Sequence, residues 1–337
     1  MLKAEELYKR LQHVKVGATS CRFTLAKCEE ITPLINEINQ LKKEKQAIIL
    51  VHSYVDPDIV YGVADFVGDS YGLSKDAMSA KGKIIVFAAV KFMAETAKIL
   101  NPDKTVLVPA IENGCSLADS ITAEDVRRLK AENPDYAFMC YINTSAEVKA
   151  ECDVCVTSSN VYKIVENYPS DKIFFVPDRL MGLNIIEEMA ARGVKKSIKL
   201  YDGTCYVHED YKPEMIEYLK LEYPDLKVAS HPECSSAVVK YSDFVGSTSQ
   251  LIDYIRKSAN KNFLLLTECG LISRLNMELP EKRFIGSCTM CKYMKANTLQ
   301  DILRVLKAPE SKDIIEIEES TRKKALNSIN AMFKYAE

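Results

Sequence analysis

A segment of about ninety residues recurs three times along the chain, and this repeat limits the folds open to the sequence more than any other feature does. Each copy reads as a buried β-branched strand with a polar residue at its end, a helical stretch, a second strand, and small hydroxyl residues that open another helix. The copies begin near Ile49, Phe138 and Lys227. Their strand-end polar residues are spaced 91 and 88 residues apart: His52, Asn143 and His231.

Each copy continues with another strand and helix, then a short strand followed by a cysteine. In the first two copies this residue is Cys115 and Cys205, 90 residues apart. The third copy offers two cysteines, Cys288 and Cys291, which lie 83 and 86 residues after Cys205. Because the cysteine spacing agrees with that of the strand-end residues, chance similarity is the weaker explanation. The Cys-x-x-Cys pair alone is ambiguous between half a zinc site, a redox pair, and one ligand beside a neighbour.

Strands that alternate with helices predict an α/β fold with parallel sheets covered by helices. We expect three quasi-equivalent αβα domains over residues 45–125, 126–215 and 216–305, arranged around a pseudo-threefold axis. Ligand sites in such sheets lie beyond the carboxyl ends of the strands. The active site is therefore expected at the centre, with a helical extension (1–44) and a terminal strand and helix (306–337) clasping the domains.

Cysteine is the unusual residue type in the composition, with 11 cysteines against only 4 histidines. An odd count and a charged N-terminal pattern without a secretory apolar region predict a reducing cytoplasm rather than a disulfide scaffold. The net charge of −2 gives no reason to expect a nucleic acid or a membrane as partner. In that compartment cysteines are packing residues, metal ligands or redox groups.

Three thiolates in equivalent places suit a [4Fe–4S] cluster with one iron left open as a Lewis acid. A structural zinc ion normally takes four protein ligands, one more than the three that the repeat supplies. The cysteines in apolar contexts are expected to be ordinary buried thiols: Cys140, Cys152, Cys155 and Cys269.

Over about residues 45–300 the sequence resembles the quinolinate synthase family, the second enzymes of de novo NAD biosynthesis. The resemblance is carried, in the family's order, by ADFVGDS, KFMAETAKILNP, GCSLAD, YINTSAEVKA, VTSSN, HPEC, VGSTSQ and C-xx-MK-x-NTL. It implies a transferase that condenses iminoaspartate with dihydroxyacetone phosphate to quinolinate, with loss of phosphate and water. It also implies Cys115, Cys205 and Cys291 as cluster ligands, and thereby chooses Cys291 over Cys288 by analogy.

Further site residues follow from the residue types together with this resemblance. His52 and His231 are expected to bind substrate oxygens or handle protons, with Tyr54, Tyr141 and Asn143 contacting substrate beside them. Glu233 is expected to act as general base, with Tyr54 and the two histidines shuttling protons. Hydroxyls at helix starts are expected to hold phosphate and carboxylates, a role that N-capping can accompany: Ser70, Ser158, Ser247 and Thr248.

The sequence leaves several alternatives open. His208, three residues after Cys205, suits either the surroundings of the cluster or the substrate. An iron–sulfur hydro-lyase of the aconitase type would use the same three cysteines without needing a phosphate, and a cysteine-rich redox or metal-storage protein would need neither His52 nor Glu233. The enzyme that supplies iminoaspartate is a conceivable partner, and a Cys288–Cys291 disulfide is left undecided.

Overall fold

The fold is taken from a computed structural model that describes residues 1–16, 20–110, 112–286 and 288–337. These residues form three four-stranded parallel sheets with helices between the strands. The prediction of an α/β protein built from three similar parallel units is therefore confirmed. All three sheets share one strand order, in which the first strand of each unit lies between its second and third strands, with the fourth at the far edge.

The first sheet has the order β4-β3-β5-β6. Its strand β3 is the run AIILVH, whose central Ile49, Leu50 and Val51 are fully buried, as expected of a parallel strand covered on both faces. The unit consists of β3 Ala47–His52, α3 Pro57–Gly62, β4 Phe66–Gly68, α4 Ser70–Ser79, β5 Ile84–Ala88, α5 Lys91–Leu100, β6 Thr105–Leu107 and a 3₁₀ turn Ala118–Ser120.

The second sheet has the order β10-β9-β7-β8. The unit consists of α6 Ala123–Glu132, β7 Ala137–Tyr141, α7 Ala146–Glu151, β8 Val154–Val156, α8 Val161–Asn167, β9 Lys172–Val176, α9 Arg179–Ala191, β10 Ser197–Leu200 and α10 Tyr206–Glu209.

The third sheet has the order β12-β11-β13-β14. The unit consists of α11 Pro213–Glu222, β11 Lys227–Ser230, α12 Ser236–Val239, β12 Phe244–Val245, α13 Thr248–Lys257, β13 Asn262–Leu266, α14 Cys269–Glu278, β14 Arg283–Phe284 and α15 Lys292–Lys295. Helix α16 (Leu299–Lys307) follows it.

An aspartate at the start of each second strand fixes the register of the repeat. Its backbone N–H donates to a carbonyl on the first strand, and its carboxylate accepts the N–H of that same residue, all at 2.7–2.9 Å. The pairs are Asp65 with Ile49, Asp153 with Phe138, and Asp243 with Val228. Because the geometry is the same three times, residues at equal distances from these pairs are structurally equivalent.

This register corrects the sequence alignment of the strand ends. Three residues after Ile49, Phe138 and Val228, the equivalent positions are His52, Tyr141 and His231. Tyr141 and not Asn143 is therefore the counterpart of the two histidines. Two residues further on, Asn143 is equivalent to Tyr54 and Glu233. The sequence comparison missed this because it matched residue types across a two-residue offset.

The terminal segments pack on the repeat units. At the N-terminus lie α1 (Ala4–Leu11), a two-stranded antiparallel pair of β1 (Lys15–Val16) and β2 (Ser20–Cys21), and α2 (Leu25–Glu44), which packs against α1 and α16. Near the C-terminus the expected strand is reduced to one antiparallel bridge between Ile314 and Leu107, after a 3₁₀ turn Ser311–Asp313. The last helix, α17 (Glu319–Ala336), packs against α7, α8 and β8. Within the described ranges no helix has the length and apolarity required to cross a bilayer.

Candidate active site

One cavity is lined by residues from all three units. Every site residue predicted from the sequence except Ser247 contributes to its wall, which brings together His52, Tyr54, Ser70, Cys115, Tyr141, Asn143, Ser158, Cys205, His231, Glu233, Thr248 and Cys291. Ser247 is fully buried behind this wall and caps α13 by accepting the N–H of Gln250. The predicted convergence of strand ends and cysteines is thus present as a single pocket.

The third cysteine of the set is identified by backbone register. The first residue of α5, of α9 and of α14 donates its N–H to a carbonyl two residues before a cysteine, at 2.7, 2.7 and 3.1 Å. The acceptors are Asn113, Gly203 and Thr289, so the equivalent cysteines are Cys115, Cys205 and Cys291. Cys288 is instead bonded to Cys269 in a disulfide. The expectation that Cys269 is an unpaired thiol is therefore wrong, and the Cys288–Cys291 pairing left open by the sequence is not formed.

Each of the three cysteines opens a helical turn. Its carbonyl accepts the N–H of the fourth residue on, at 2.8–3.1 Å, which turns the following backbone N–H groups toward the sulfur. Burial raises the pKa of Cys115 to about 12 and raises that of Cys205 well above its usual value, with the backbone donors opposing the shift. Half-buried thiols that backbone donors approach, and that form no disulfide, suit a cationic metal group, which would compensate the thiolate charge.

The two strand-end histidines are held as neutral rings of one tautomer. Nδ1 of His52 accepts the N–H of Tyr54 at 3.2 Å, and Nδ1 of His231 accepts the N–H of Glu233 at 3.3 Å. Burial lowers the pKa of His52 to about 4 and that of His231 to about 3. At neutral pH each ring therefore carries its proton on Nε2, and we expect it to donate hydrogen bonds rather than to exchange protons.

Glu233 is a buried carboxylate with both oxygens bound. Oε1 accepts the hydroxyl of Tyr141 at 2.6 Å, and Oε2 lies 3.0 Å from Nδ1 of His208. Burial would raise the pKa of Glu233, but His208 and the hydrogen bond from the Tyr141 hydroxyl outweigh it and hold this pKa below its usual value. The carboxylate is thus ionised at neutral pH and able to accept a proton.

The Tyr54 hydroxyl joins this group from the first unit. It lies 2.7 Å from Oγ1 of Thr267 and accepts the hydroxyl of Thr248 at 3.0 Å. Oγ1 of Thr267 is also 3.0 Å from Nε2 of His208, so the chain of contacts reaches Glu233. Burial raises the pKa of Tyr54 well above 10, which keeps its hydroxyl protonated.

The hydroxyl groups at the helix starts differ in whether they cap a helix. Ser70, Ser158 and Thr248 are equivalent in the register, because each lies five residues after the aspartate that pairs with the first strand of its unit. All three line the cavity. Ser70 and Thr248 begin α4 and α13, whereas Ser158 lies in the turn before α8. None of the three is an N-cap, so capping accounts only for Ser247 among the predicted hydroxyls.

Sequence reasoning missed three polar residues of this site. Asp69 caps α4 and, with its second oxygen, accepts Ser247 Oγ at 3.2 Å and the N–H of Ser249 at 3.4 Å, which ties the first unit to the third. Glu268 lines the cavity and accepts the N–H of Cys291 at 3.2 Å. Thr267 and Glu268 follow β13 directly, and polar residues at the end of the third strand of a parallel unit are the signal that could have found them.

The model of a family described as "Quinolinate synthetase A protein" matches residues 36–334. A quinolinate synthase of Clostridium perfringens is 46% identical over 301 residues, which cover 89% of this chain and 98% of that protein. One from Rippkaea orientalis is 42% identical over 309 residues, covering 89% and 93%, and one from Caulobacter vibrioides is 43% identical over 278 residues, covering 81% and 74%.

Proposed function

The chain belongs to the quinolinate synthase family, and from that premise we propose that it condenses iminoaspartate with dihydroxyacetone phosphate to quinolinate, with loss of phosphate and water. One observation carries the proposal. Three equivalent free thiols, Cys115, Cys205 and Cys291, open into the same cavity as the ionised carboxylate of Glu233 and two neutral histidines. That combination joins a thiolate-held metal group to a proton acceptor and to donors for an anionic substrate.

The three cysteines would hold a [4Fe–4S] cluster. Three thiolates leave one iron without a protein ligand, and such an iron supplies Lewis-acid chemistry for the departure of hydroxide. The backbone N–H groups that approach each sulfur support this occupant, because ligand sulfurs of iron–sulfur clusters commonly accept such donors. Such a cluster is consistent with a reducing cytoplasm as the place of the reaction.

Substrate binding falls to the donors of the cavity wall. The Nε2–H groups of His52 and His231 can donate to carboxylate or carbonyl oxygens without carrying a charge themselves. The hydroxyls of Ser70 and Ser158 offer two further donors for the phosphate and the carboxylates, while Thr248 donates to Tyr54 and acts through that hydroxyl. A substrate held by all three units is oriented before any bond changes, which lowers the entropic part of the barrier.

Proton transfer falls to Glu233. Its carboxylate takes a proton from carbon during the tautomerisation and dehydration steps, while the Tyr141 hydroxyl on Oε1 and His208 on Oε2 hold its orientation. Tyr54 stays protonated and donates to a developing oxygen anion, supported by Thr267 and Thr248. Iminoaspartate hydrolyses readily as an imine, so the enzyme that makes it is a natural partner of this chain.

The proposal is tested by anaerobic purification, quantitation of iron and sulfide, and an assay for quinolinate with and without dihydroxyacetone phosphate. We expect four irons per chain and product only when the triose phosphate is present. A hydro-lyase of the aconitase type would turn over a hydroxy acid without it. Protein that contains no iron after anaerobic reconstitution would exclude the proposed chemistry.

A further inference from the structure

We propose that Cys205, His208 and Glu233 form a second metal site, which binds a single Zn²⁺-like divalent ion when the chain lacks its cluster. A sulfur, a ring nitrogen and a carboxylate oxygen of these residues lie within 4.8 Å of one another, and they are the only such group among the described residues. The inference rests on the proposed function only where it takes Cys205 to be a cluster ligand.

The spacing of the three donor atoms fits a tetrahedral ion. Zinc bonds of about 2.0–2.3 Å to nitrogen, oxygen and sulfur place neighbouring ligand atoms roughly 3.3–3.6 Å apart. Nδ1 of His208 is already 3.0 Å from Oε2 of Glu233, and the sulfur of Cys205 lies within the same 4.8 Å group. A small movement of one side chain would therefore bring the three donors to these separations, and all three residues line the cavity, which leaves room for a fourth ligand.

The contacts behind these donors are those of a prepared metal site. A histidine that binds a metal usually donates its other ring N–H to an oxygen, and Nε2 of His208 is 3.0 Å from Oγ1 of Thr267. The second oxygen of Glu233 accepts the Tyr141 hydroxyl at 2.6 Å. Both side chains are almost fully buried, His208 and Glu233 each at 3% exposure, so their orientation is set before an ion arrives.

The chemistry of the donor set selects the ion. One thiolate, one imidazole and one carboxylate form a mixed set that borderline ions such as Zn²⁺ and Co²⁺ accept, whereas Mg²⁺ and Ca²⁺ prefer oxygen alone. With Cys205 and Glu233 deprotonated, the two negative charges balance the dication. Because Cys205 cannot hold this ion and a cluster iron together, the ion competes with cluster assembly.

The experiment uses the full chain stripped of iron under reducing, anaerobic conditions and titrated with Co²⁺ alone. We expect one cobalt per chain, with a thiolate-to-cobalt charge-transfer band and the ligand-field bands of four-coordinate cobalt. His208→Gln should weaken cobalt binding by at least roughly 100-fold, and Thr267→Val, which keeps the shape of the side chain, by about 10-fold or more. Zn²⁺ added beforehand should slow cluster reconstitution in the wild type but not in His208→Gln.

Cys115→Ser is the matched control, because it removes a cluster ligand and leaves the three donors of the second site intact. Its cobalt spectrum should equal that of the wild type although it holds no complete cluster. Loss of the cobalt bands in Cys115→Ser, or their persistence in both His208→Gln and Thr267→Val, would refute the second site. If the wild-type chain binds cobalt in this way but never assembles an iron–sulfur cluster, the second site is supported and the proposed function is refuted.

Discussion

His52 and His231 carry the same hydrogen bond on the same ring atom: Nδ1 of each accepts the backbone N–H two residues further along the chain, at 3.2 and 3.3 Å. They come from the first and third units and occupy equivalent positions at the end of the first strand. A fixed tautomer and a pKa of about 4 and about 3 make both rings neutral donors at physiological pH.

This pairing predicts how stability depends on pH. The unfolded chain protonates its histidines near pH 6.5, whereas the folded chain resists protonation of His52 and His231 down to about pH 4 and 3. Between about pH 4 and 6.5 the unfolded state binds more protons, so the free energy of unfolding should rise with pH across that window. Urea denaturation at steps of pH measures the slope.

His52→Gln should reduce that slope, since a glutamine does not titrate. The matched control is His13→Gln, at an exposed position in the N-terminal extension, which should leave the contribution of the buried rings intact. An NMR titration in which His52 or His231 protonates near pH 6.5 in the folded protein would contradict this account.

The proposed function predicts that the cysteines divide into cluster ligands and residues without that role. Cys115→Ser, Cys205→Ser and Cys291→Ser should each prevent assembly of a complete cluster, because each removes one of three equivalent thiols at the cavity. Cys288→Ser breaks the disulfide with Cys269 but should keep the full iron content, as should Cys155→Ser in the core of the second unit. Iron and sulfide analysis after reconstitution distinguishes the two groups, and a Cys288→Ser protein without iron would overturn the assignment of Cys291.

Glu233→Gln should lower the rate of quinolinate formation by about 10²- to 10⁴-fold, because an amide cannot accept the proton that the carboxylate takes. Glutamine is similar in shape and still accepts the Tyr141 hydroxyl, so iron content and folding should be unchanged. Glu214→Gln, on the exposed face of α11, serves as the control. A wild-type rate in Glu233→Gln would show that another group is the base.

The hydroxyl groups at the cavity can be separated from helix caps by experiment. Ser70→Ala should raise the KM for dihydroxyacetone phosphate by about 10- to 100-fold, the loss of one hydrogen bond to a charged group. Ser235→Ala removes a true N-cap, on α12 and outside the cavity wall, and should cost about 1 kcal/mol of stability without changing KM. If Ser70→Ala lowers stability but leaves the KM unchanged, as expected for Ser235→Ala, the hydroxyl of Ser70 does not bind substrate.

Glu268 should secure the loop that carries Cys291. One of its oxygens accepts the N–H of Cys291 and lies 3.4 Å from Nζ of Lys295, and the carboxylate is fully buried. Glu268→Ala removes the acceptor of the Cys291 N–H and one of the two carboxylates beside the half-buried Lys295, so we expect about 1–3 kcal/mol lower stability and faster loss of iron to a chelator. Glu278→Ala, at the other end of α14, is the control and should lose iron at the wild-type rate. Equal rates in the two variants would contradict this role.

The sequence alone determined the architecture and most of the cavity wall. Parallel strands recur where β-branched runs alternate with helical patterns, and each strand carries its polar residue to the same edge of its sheet. Repetition at a fixed period therefore predicted that His52, His231 and the cysteines converge, although it placed Asn143 where the register has Tyr141. Residue spacing could not choose between Cys288 and Cys291, because loops of unequal length absorb a difference of three residues.

Only the tertiary structure decided what each side chain does. The hydrogen bonds that fix the histidine tautomers, the Tyr141 and His208 contacts that hold Glu233, and the Cys269–Cys288 disulfide join atoms up to 92 residues apart. Asp69, Thr267 and Glu268 acquire their roles from partners in distant segments of the chain. Protonation depends on burial and on neighbouring charges, which are properties of the packed chain and not of residue order.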